Sequence, residues 1–192
     1  MKKALCLIFV LTFLLVGCNN QKVKSSDTIR KELLNVIENK TSFLDANNQE
    51  VLLKDYQIPE CVDYVFSPLE YALVDFDGDK TEELVILDAR KNFYQILRYD
   101  KSTNKFYGYT MNIRSLIDLK TDGTFMQSSG AGINSISKLN FENGEIVFTE
   151  LALKNDYDKE YKINQKNAKP EDVKSFFDEW TALPTVSWTG IN

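Results

Sequence analysis

The stretch Tyr71–Leu87, YALVDFDGDKTEELVIL, places a dense acidic segment between two apolar runs. Asp75, Asp77 and Asp79 alternate around Gly78, and the flanking runs YALV and ELVIL have the composition of buried strands. Carboxylates this close together repel one another, so a positive charge among them is expected in the folded protein. The stretch therefore predicts a β-hairpin whose loop binds a cation.

The chemistry of the loop favours calcium. Alternate side chains of an extended segment point the same way, so the three aspartates can converge on one centre. Gly78 has no Cβ and permits a tight bend. Ca²⁺ takes about six to eight oxygen ligands in a flexible geometry. An EF-hand does not fit, because Lys80 stands where that motif needs glycine and Ile86 where it needs a bidentate acid.

The loop resembles instead the calcium loops of integrin-type FG-GAP repeats and related bacterial repeats, which also join two strands. The resemblance implies a structural Ca²⁺ bound by Asp75, Asp77, Asp79, the backbone oxygen of Thr81, and Glu83. Two positions depart from the family pattern, since Lys80 replaces a usual glycine and Glu83 a usual aspartate. Left-handed backbone at Lys80 would cost roughly 1–2 kcal/mol, which predicts a modest affinity. The alternative is a solvated acidic turn, because Asp-Gly-Asp is also common turn chemistry.

The N-terminus has the features of an export signal over residues 1–17. Two lysines precede a mostly apolar run that is too short to span a bilayer comfortably as a helix. The run ends in LVGC, Leu15–Cys18, which resembles the lipobox of bacterial lipoproteins. That resemblance implies cleavage before Cys18 and a diacylglyceryl anchor on its thiol, which would place the protein on the outer face of the cytoplasmic membrane. The alternatives are an ordinary signal peptide and a short core segment.

The charge of the chain limits its partners. Removal of residues 1–17 would take away two lysines and no acid, which leaves 21 basic and 28 acidic residues and a formal charge of −7. An acidic protein is a poor ligand for nucleic acid or for anionic lipid, so the lipid anchor is the expected membrane contact. Abundant Lys, Asn, Asp and Ile favour a Gram-positive bacterium, whose small, largely uncharacterised lipoproteins the chain resembles through its single acidic loop.

The chain contains no histidine. This excludes Ser-His-Asp and Cys-His catalysis and imidazole-based zinc sites, so any metal must be bound by oxygen. If Cys18 is lipidated, Cys61 is the one thiol left after cleavage and no disulfide can form within the chain. Two S-x-x-K matches, Ser102–Lys105 and Ser135–Lys138, lie in a predicted hairpin and strand rather than at the start of the helix that a β-lactamase-type nucleophile needs.

These observations favour a non-catalytic binding or adhesion module with an unidentified surface or extracellular ligand. The alternative is a lipid-anchored hydrolase, or an accessory subunit of an extracellular enzyme, because a glycosidase pair can be drawn from so many acids. A stacking face for sugar or peptide is a further possibility. Its six candidate aromatics are Phe93, Tyr94, Tyr99, Phe106, Tyr107 and Tyr109. Strand alternation assigns half of them to the core and the others to ordinary cross-strand pairs.

The periodicity predicts one α+β domain over residues 27–192, joined to the anchor by a flexible tether at 18–26, and a monomer. An apolar stripe predicts a helix over 27–40. From Leu69 the period changes to two, which predicts an antiparallel meander of about seven or eight strands. A C-terminal helix is expected to begin at Pro170 and to end before Pro184.

Overall fold

The computed structural model describes residues 24–58, 61, 64–90, 92–142 and 144–191. The predicted signal, the lipobox with Cys18 and most of the tether lie outside the described residues. None of the helices within these ranges has the length and apolar character needed to cross a membrane.

The described chain contains two α-helices and twelve strands. The helices are α1 Ser26–Ile37 and α2 Pro170–Thr181. The strands, in chain order, are β1 Phe43–Leu44, β2 Glu50–Val51, β3 Pro68–Val74, β4 Glu83–Asp88, β5 Phe93–Asp100, β6 Lys105–Asn112, β7 Thr124–Gly130, β8 Ile133–Glu142, β9 Glu145–Asn155, β10 Glu160–Ile163, β11 Lys166–Asn167 and β12 Thr189–Gly190.

The strands form two sheets. The first has the order β12-β3-β4-β5-β6-β1-β2, and the second has the order β11-β10-β9-β8-β7. Neighbouring strands are antiparallel except for β1 and β6, which pair in parallel through Leu44 and Tyr107. A mostly β structure with two helices agrees with the predicted α+β class.

The predicted single meander of seven or eight strands is not confirmed, because the described strands lie in two sheets rather than in one. The strands β3–β6 and β7–β11 are two separate antiparallel runs, divided by residues 113–123. Period-two alternation identifies strands one at a time, but it does not tell which strands share a sheet. The strands β1, β2, β11 and β12 are two residues long, too short to carry a detectable period.

Strand β4 lies at the centre of a four-layer arrangement, and all six of its residues are buried. Leu84 and Ile86 join a core with α1 on one face of the first sheet. Val85 and Leu87 face the other way and join a core with the second sheet. Helix α2 packs on the far face of the second sheet through Trp180. Burial on both faces explains why ELVIL is continuously apolar.

Helix α1 is built from a cap and an apolar stripe. The Ser25 hydroxyl accepts a hydrogen bond from the Thr28 N–H at 3.3 Å, which satisfies one of the first free amides of the helix. Ile29, Leu33 and Val36 are buried against the first sheet. The helix ends at Ile37 rather than at the predicted Lys40, because Asn39 has a φ of 58°, which a right-handed helix cannot continue.

Helix α2 begins at Pro170 and ends before Pro184, as predicted. Its C-terminal end is bound by a buried cation, Lys120, which is 2 % exposed. The Lys120 ammonium donates to the carbonyls of Thr181 and Leu183, both at 3.2 Å, and pairs with Asp118 at 2.9 Å. The Thr181 carbonyl is the last of the helix and has no partner within it, and Leu183 follows two residues later. The lysine therefore satisfies both carbonyls and complements the negative end of the helix dipole.

We expect Lys120→Met to lower the free energy of unfolding by about 2–3 kcal/mol. The thioether keeps most of the apolar stem but leaves two carbonyls and Asp118 without their donor. Lys174→Met on the exposed face of α2 is the matched control, since its ion pair with Asp178 is solvent-exposed. Urea unfolding followed by tryptophan fluorescence measures both variants. Equal effects of the two substitutions would contradict the capping role of Lys120.

Candidate cation site in the β3–β4 loop

The acidic loop joins β3 and β4, as the sequence predicts. Val74 at the end of β3 pairs with Glu83 at the start of β4, so residues 75–82 form the connection. Gly78 has a φ of 79° and Lys80 a φ of 66°. The expected left-handed backbone at Lys80 is therefore present, and it lets the chain turn back sharply toward β4.

The three aspartates fold the loop through hydrogen bonds to its own backbone. Asp75 accepts from the N–H groups of Gly78 at 2.8 Å and Lys80 at 3.0 Å. Asp77 accepts from the Asp79 N–H at 3.1 Å, and Asp79 accepts from the Thr81 N–H at 2.7 Å. Backbone donors stabilise the ionised carboxylates and hold them in fixed directions. The loop thus carries ordinary turn chemistry at the same positions that were predicted as ligands.

Three of the predicted side chains come together. Asp75, Asp77 and Glu83 each offer a carboxylate oxygen, and these oxygens all lie within 4.8 Å of one another. Two oxygens that bind one Ca²⁺ at roughly 2.3–2.6 Å can be at most about 5 Å apart. The group could therefore hold one metal ion, although this spacing does not select Ca²⁺ from other ions that prefer oxygen.

Asp79 does not belong to this group. Its second carboxylate oxygen binds the Lys101 ammonium at 2.7 Å. Burial raises the pKa of the Asp79 carboxyl, but hydrogen bonds from Lys101 and Thr81 outweigh that effect and leave the pKa below its usual value. The backbone oxygen of Thr81 remains a predicted ligand.

Glu83 is the most unusual member of the group, because it is 1 % exposed. One of its oxygens accepts from the Phe76 N–H at 3.0 Å, and the other lies 3.9 Å from Arg98 Nε. The pKa of Glu83 is raised to about 9, chiefly by burial and also by the charge of Asp77, although the Phe76 N–H and Arg98 lower it. Burial also raises the pKa of Asp77. A cation bound between these carboxylates would reverse that penalty on their ionised forms.

The chain supplies two cations of its own beside the loop, both from the β5–β6 hairpin. Arg98 Nη2 lies 3.5 Å from Asp77, and Lys101 binds Asp79. The Arg98 guanidinium also lies over the Phe141 ring at 4.4 Å. Sequence reasoning missed both residues, since they are about twenty positions away. The RYDK run at the hairpin was the one available signal.

The remaining acid of the loop binds α1. Glu82 pairs with Arg30 at 2.8 Å, and the Ser26 hydroxyl donates to the Lys80 carbonyl at 3.3 Å. These contacts attach the outer side of the loop to the first turns of the helix. Glu82 is thereby directed away from the three-carboxylate group, which agrees with its omission from the predicted ligand set.

Two adjoining cavities form a groove along β6, here termed the β6 groove. The first, of about 680 Å³, is lined by Asp45, Arg98, Asp100, Tyr107, Tyr109 and Glu145 among others. The second, of about 410 Å³, includes Tyr56, Thr110, Met111 and Phe148. Both contain Ala46. Arg98 lines the groove and also contacts the acidic loop, so the two features are neighbours.

The other sequence candidates take their expected places. Ser102–Lys105 lies in the β5–β6 turn and Ser135–Lys138 in β8, so neither opens a helix. Of the six aromatics considered for a stacking face, Tyr94, Tyr99 and Phe106 are buried in the cores. Tyr107 and Tyr109 are partly exposed and line the β6 groove.

Comparison of the chain with models of protein families, with curated proteins and with solved structures found no match. What the site can do therefore follows from its own residues.

We expect the burial of Glu83 to make stability fall as pH rises in the absence of a bound cation. Its pKa is about 9 in the folded protein and near 4.5 in the unfolded chain, so the folded state holds more protons between these values. Its contribution to stability is present below about pH 4.5 and is lost as pH rises toward 9. Glu83→Gln should remove this dependence. From pH 5 to pH 8 the free energy of unfolding of the wild type should therefore fall by roughly 2–4 kcal/mol relative to that of Glu83→Gln.

Urea unfolding in chelator-treated buffer at pH 5 and pH 8 measures this difference. Glu82→Gln is the matched control, because Glu82 is a neighbouring carboxylate paired at the surface with Arg30. If wild type and Glu83→Gln respond to pH in the same way, Glu83 is ionised in the folded protein. Its buried charge is then stabilised by something other than the contacts described above.

Proposed function

We propose that the protein is a lipid-anchored, extracytoplasmic binding module whose β3–β4 loop binds a structural Ca²⁺. The observation that carries the calcium assignment is the convergence of Asp75, Asp77 and Glu83, one of them fully buried. The resemblance of the loop to FG-GAP calcium loops adds Asp79 and the Thr81 carbonyl as further ligands. Asp79 would exchange Lys101 for the metal, an exchange that an exposed ion pair opposes only weakly.

Calcium in this site would act on stability rather than on catalysis. Extracellular sites of this kind bind with Kd on the order of 10⁻⁴ to 10⁻³ M, close to extracellular calcium concentrations. Linkage then gives roughly 0.4–1.4 kcal/mol of stabilisation at about 1 mM Ca²⁺. The expected consequence is a loop that is rigid outside the cell and looser where calcium is scarce.

We expect about 1 mM Ca²⁺ to raise the melting temperature of the domain comprising residues 24–192 by about 1–6 °C relative to EDTA. Mg²⁺ should do much less, because it prefers a smaller octahedral site that retains several waters. Asp77→Asn should abolish the calcium shift while keeping an acceptor for the Asp79 N–H. Differential scanning calorimetry measures all of these samples.

Two further variants make the test specific. Asp178→Asn on the exposed side of α2 removes the same charge far from the loop and should leave the shift intact. Asp79→Asn separates the two ligand sets: it abolishes the shift if Asp79 is a ligand and preserves it if the three-carboxylate group is sufficient. If calcium leaves the wild type unmoved, the loop is a charged turn.

The anchoring part of the proposal rests on the sequence LVGC. It assigns a diacylglyceryl group to Cys18 and an outward-facing location on the cytoplasmic membrane. The Gram-positive host is proposed from the abundance of Lys, Asn, Asp and Ile. A diacyl anchor supplies two chains, which gives stable attachment where one chain would be marginal. The acidic charge of the remaining chain favours a role for the lipid as the membrane contact.

We expect the full-length protein, expressed in a Gram-positive host fed a fatty acid with an alkyne tag, to incorporate the label at Cys18. Cys18→Ser should lose the label and move the protein from the membrane fraction to the medium or to an uncleaved precursor. Cys61→Ser is the matched control and should keep both label and location. Label on Cys18→Ser, or none on wild type, would contradict the anchor.

A binding role is preferred to hydrolysis because of the way the acids of the β6 groove are used. Asp45 accepts from the N–H groups of Asn47 and Gln49, both at 2.8 Å, and Asp100 accepts from the Ser102 N–H at 2.6 Å. Burial raises the pKa of Asp100, but the hydrogen bonds that it accepts from Ser102 and Thr103 outweigh burial and lower the pKa. A glycosidase acid needs a raised pKa, and the lowered pKa of Asp100 is the opposite of that.

A further inference from the structure

The edge of β6 carries the next inference. On one side β6 pairs with β5 along its whole length, from Lys105 to Asn112. On the other side its strand partner is β1, which pairs only through Leu44 and Tyr107. Within the described part of the chain, no strand and no backbone hydrogen bond occupies that second side of Tyr109–Asn112.

An open edge of this kind has definite chemistry. Residues of an antiparallel strand alternately direct their N–H and C=O groups to either side, so two of the four residues in Tyr109–Asn112 face outward. Proteins commonly protect such edges with lysine, proline or a bulge. The segment YTMN has neither lysine nor proline, and its pairing with β5 is free of bulges. The edge is therefore suited to pairing with another extended chain.

The β6 groove runs beside this edge and has room for such a chain. Its two cavities, of about 680 and 410 Å³, are of the size of ordinary ligand sites. The second cavity is lined in part by apolar groups, which include Phe148 and the largely buried Met111. Phe148 is 45 % exposed and packs edge-on against Phe125, so it presents a supported apolar surface.

The first cavity is acidic. Asp45, Asp100 and Glu145 line it, and the cation there, Arg98, is already close to Asp77 and Glu83 of the acidic loop. This charge favours a partner with basic side chains at that end of the groove.

We propose that the β6 groove binds an extended segment of another protein, which adds as a strand to the edge Tyr109–Asn112. Its basic side chains lie against Asp45, Asp100 and Glu145, and its apolar side chains against Met111 and Phe148. Backbone pairing provides affinity and the two ends of the groove select the side chains. This inference rests on the binding role proposed above and names its partner, but it does not depend on calcium.

The probe is a fluorescent, acetylated and amidated peptide, Lys-Thr-Lys-Thr-Val-Thr-Val, whose lysines and valines share one face when it is extended. Fluorescence anisotropy with the folded domain should show saturable binding. The peptide with glutamate in place of lysine, and the lysine peptide N-methylated at alternate amides, should each bind at least roughly tenfold more weakly, because one loses the charge match and the other the backbone pairing.

Two variants and one structural readout complete the test. Glu145→Lys should weaken binding roughly 3- to 10-fold, whereas Glu142→Lys, its cross-strand partner outside the groove, should change it less than about twofold. Hydrogen exchange should show new protection of Tyr109–Asn112 on peptide binding, with β7 as the unaffected reference. Circular dichroism checks that each variant is folded.

Several outcomes would overturn the proposal. They are absence of binding, equal binding of the N-methylated peptide, protection confined to other strands, and protection of Tyr109–Asn112 that grows with protein concentration without peptide. The last would assign the edge to a second copy. All arms are run in EDTA and in about 1 mM Ca²⁺. Loss of calcium stabilisation with intact peptide binding would reject the cation site alone, and the reverse result would reject the peptide groove alone.

Discussion

The structure depends on the burial of β4 on both faces. Leu84 and Ile86 face α1 while Val85 and Leu87 face the second sheet, so one strand belongs to both principal cores. Apolar burial of this kind is the main favourable term in folding. This burial has a free-energy cost at the two ends of the strand, because the carboxyl groups of Glu83 and Asp88 are removed from water.

The two ends of β4 meet this cost differently. Asp88 accepts hydrogen bonds from the N–H groups of Ser67 and Arg90 and from the Tyr64 hydroxyl, so several donors converge on it. Glu83 has the Phe76 N–H and a distant guanidinium. The poorly compensated end is the one beside two further aspartates. A cation at that end would stabilise the buried Glu83 carboxylate, for which the local backbone supplies a single hydrogen bond. This is the structural reason for the proposed calcium.

Arg98 connects the acidic loop to the β6 groove. Its guanidinium stacks on Phe141, approaches Asp77 and Glu83, and lines the first cavity of the groove. The two proposed sites therefore share one side chain, although each can be tested without the other.

The local features of this protein were determined by its sequence. The β3–β4 and β5–β6 hairpins, the left-handed turn at Lys80 and helix α2 follow from periodicity and turn chemistry within short windows. The tertiary structure decided the division into two sheets, the pairing of Asp79 with Lys101, the approach of Arg98 to Glu83, and the open edge of β6. Those features arise from contacts between residues that are far apart in the chain, and patterns within a short window of sequence do not predict such contacts. The packing of β4 between two cores brings these residues together.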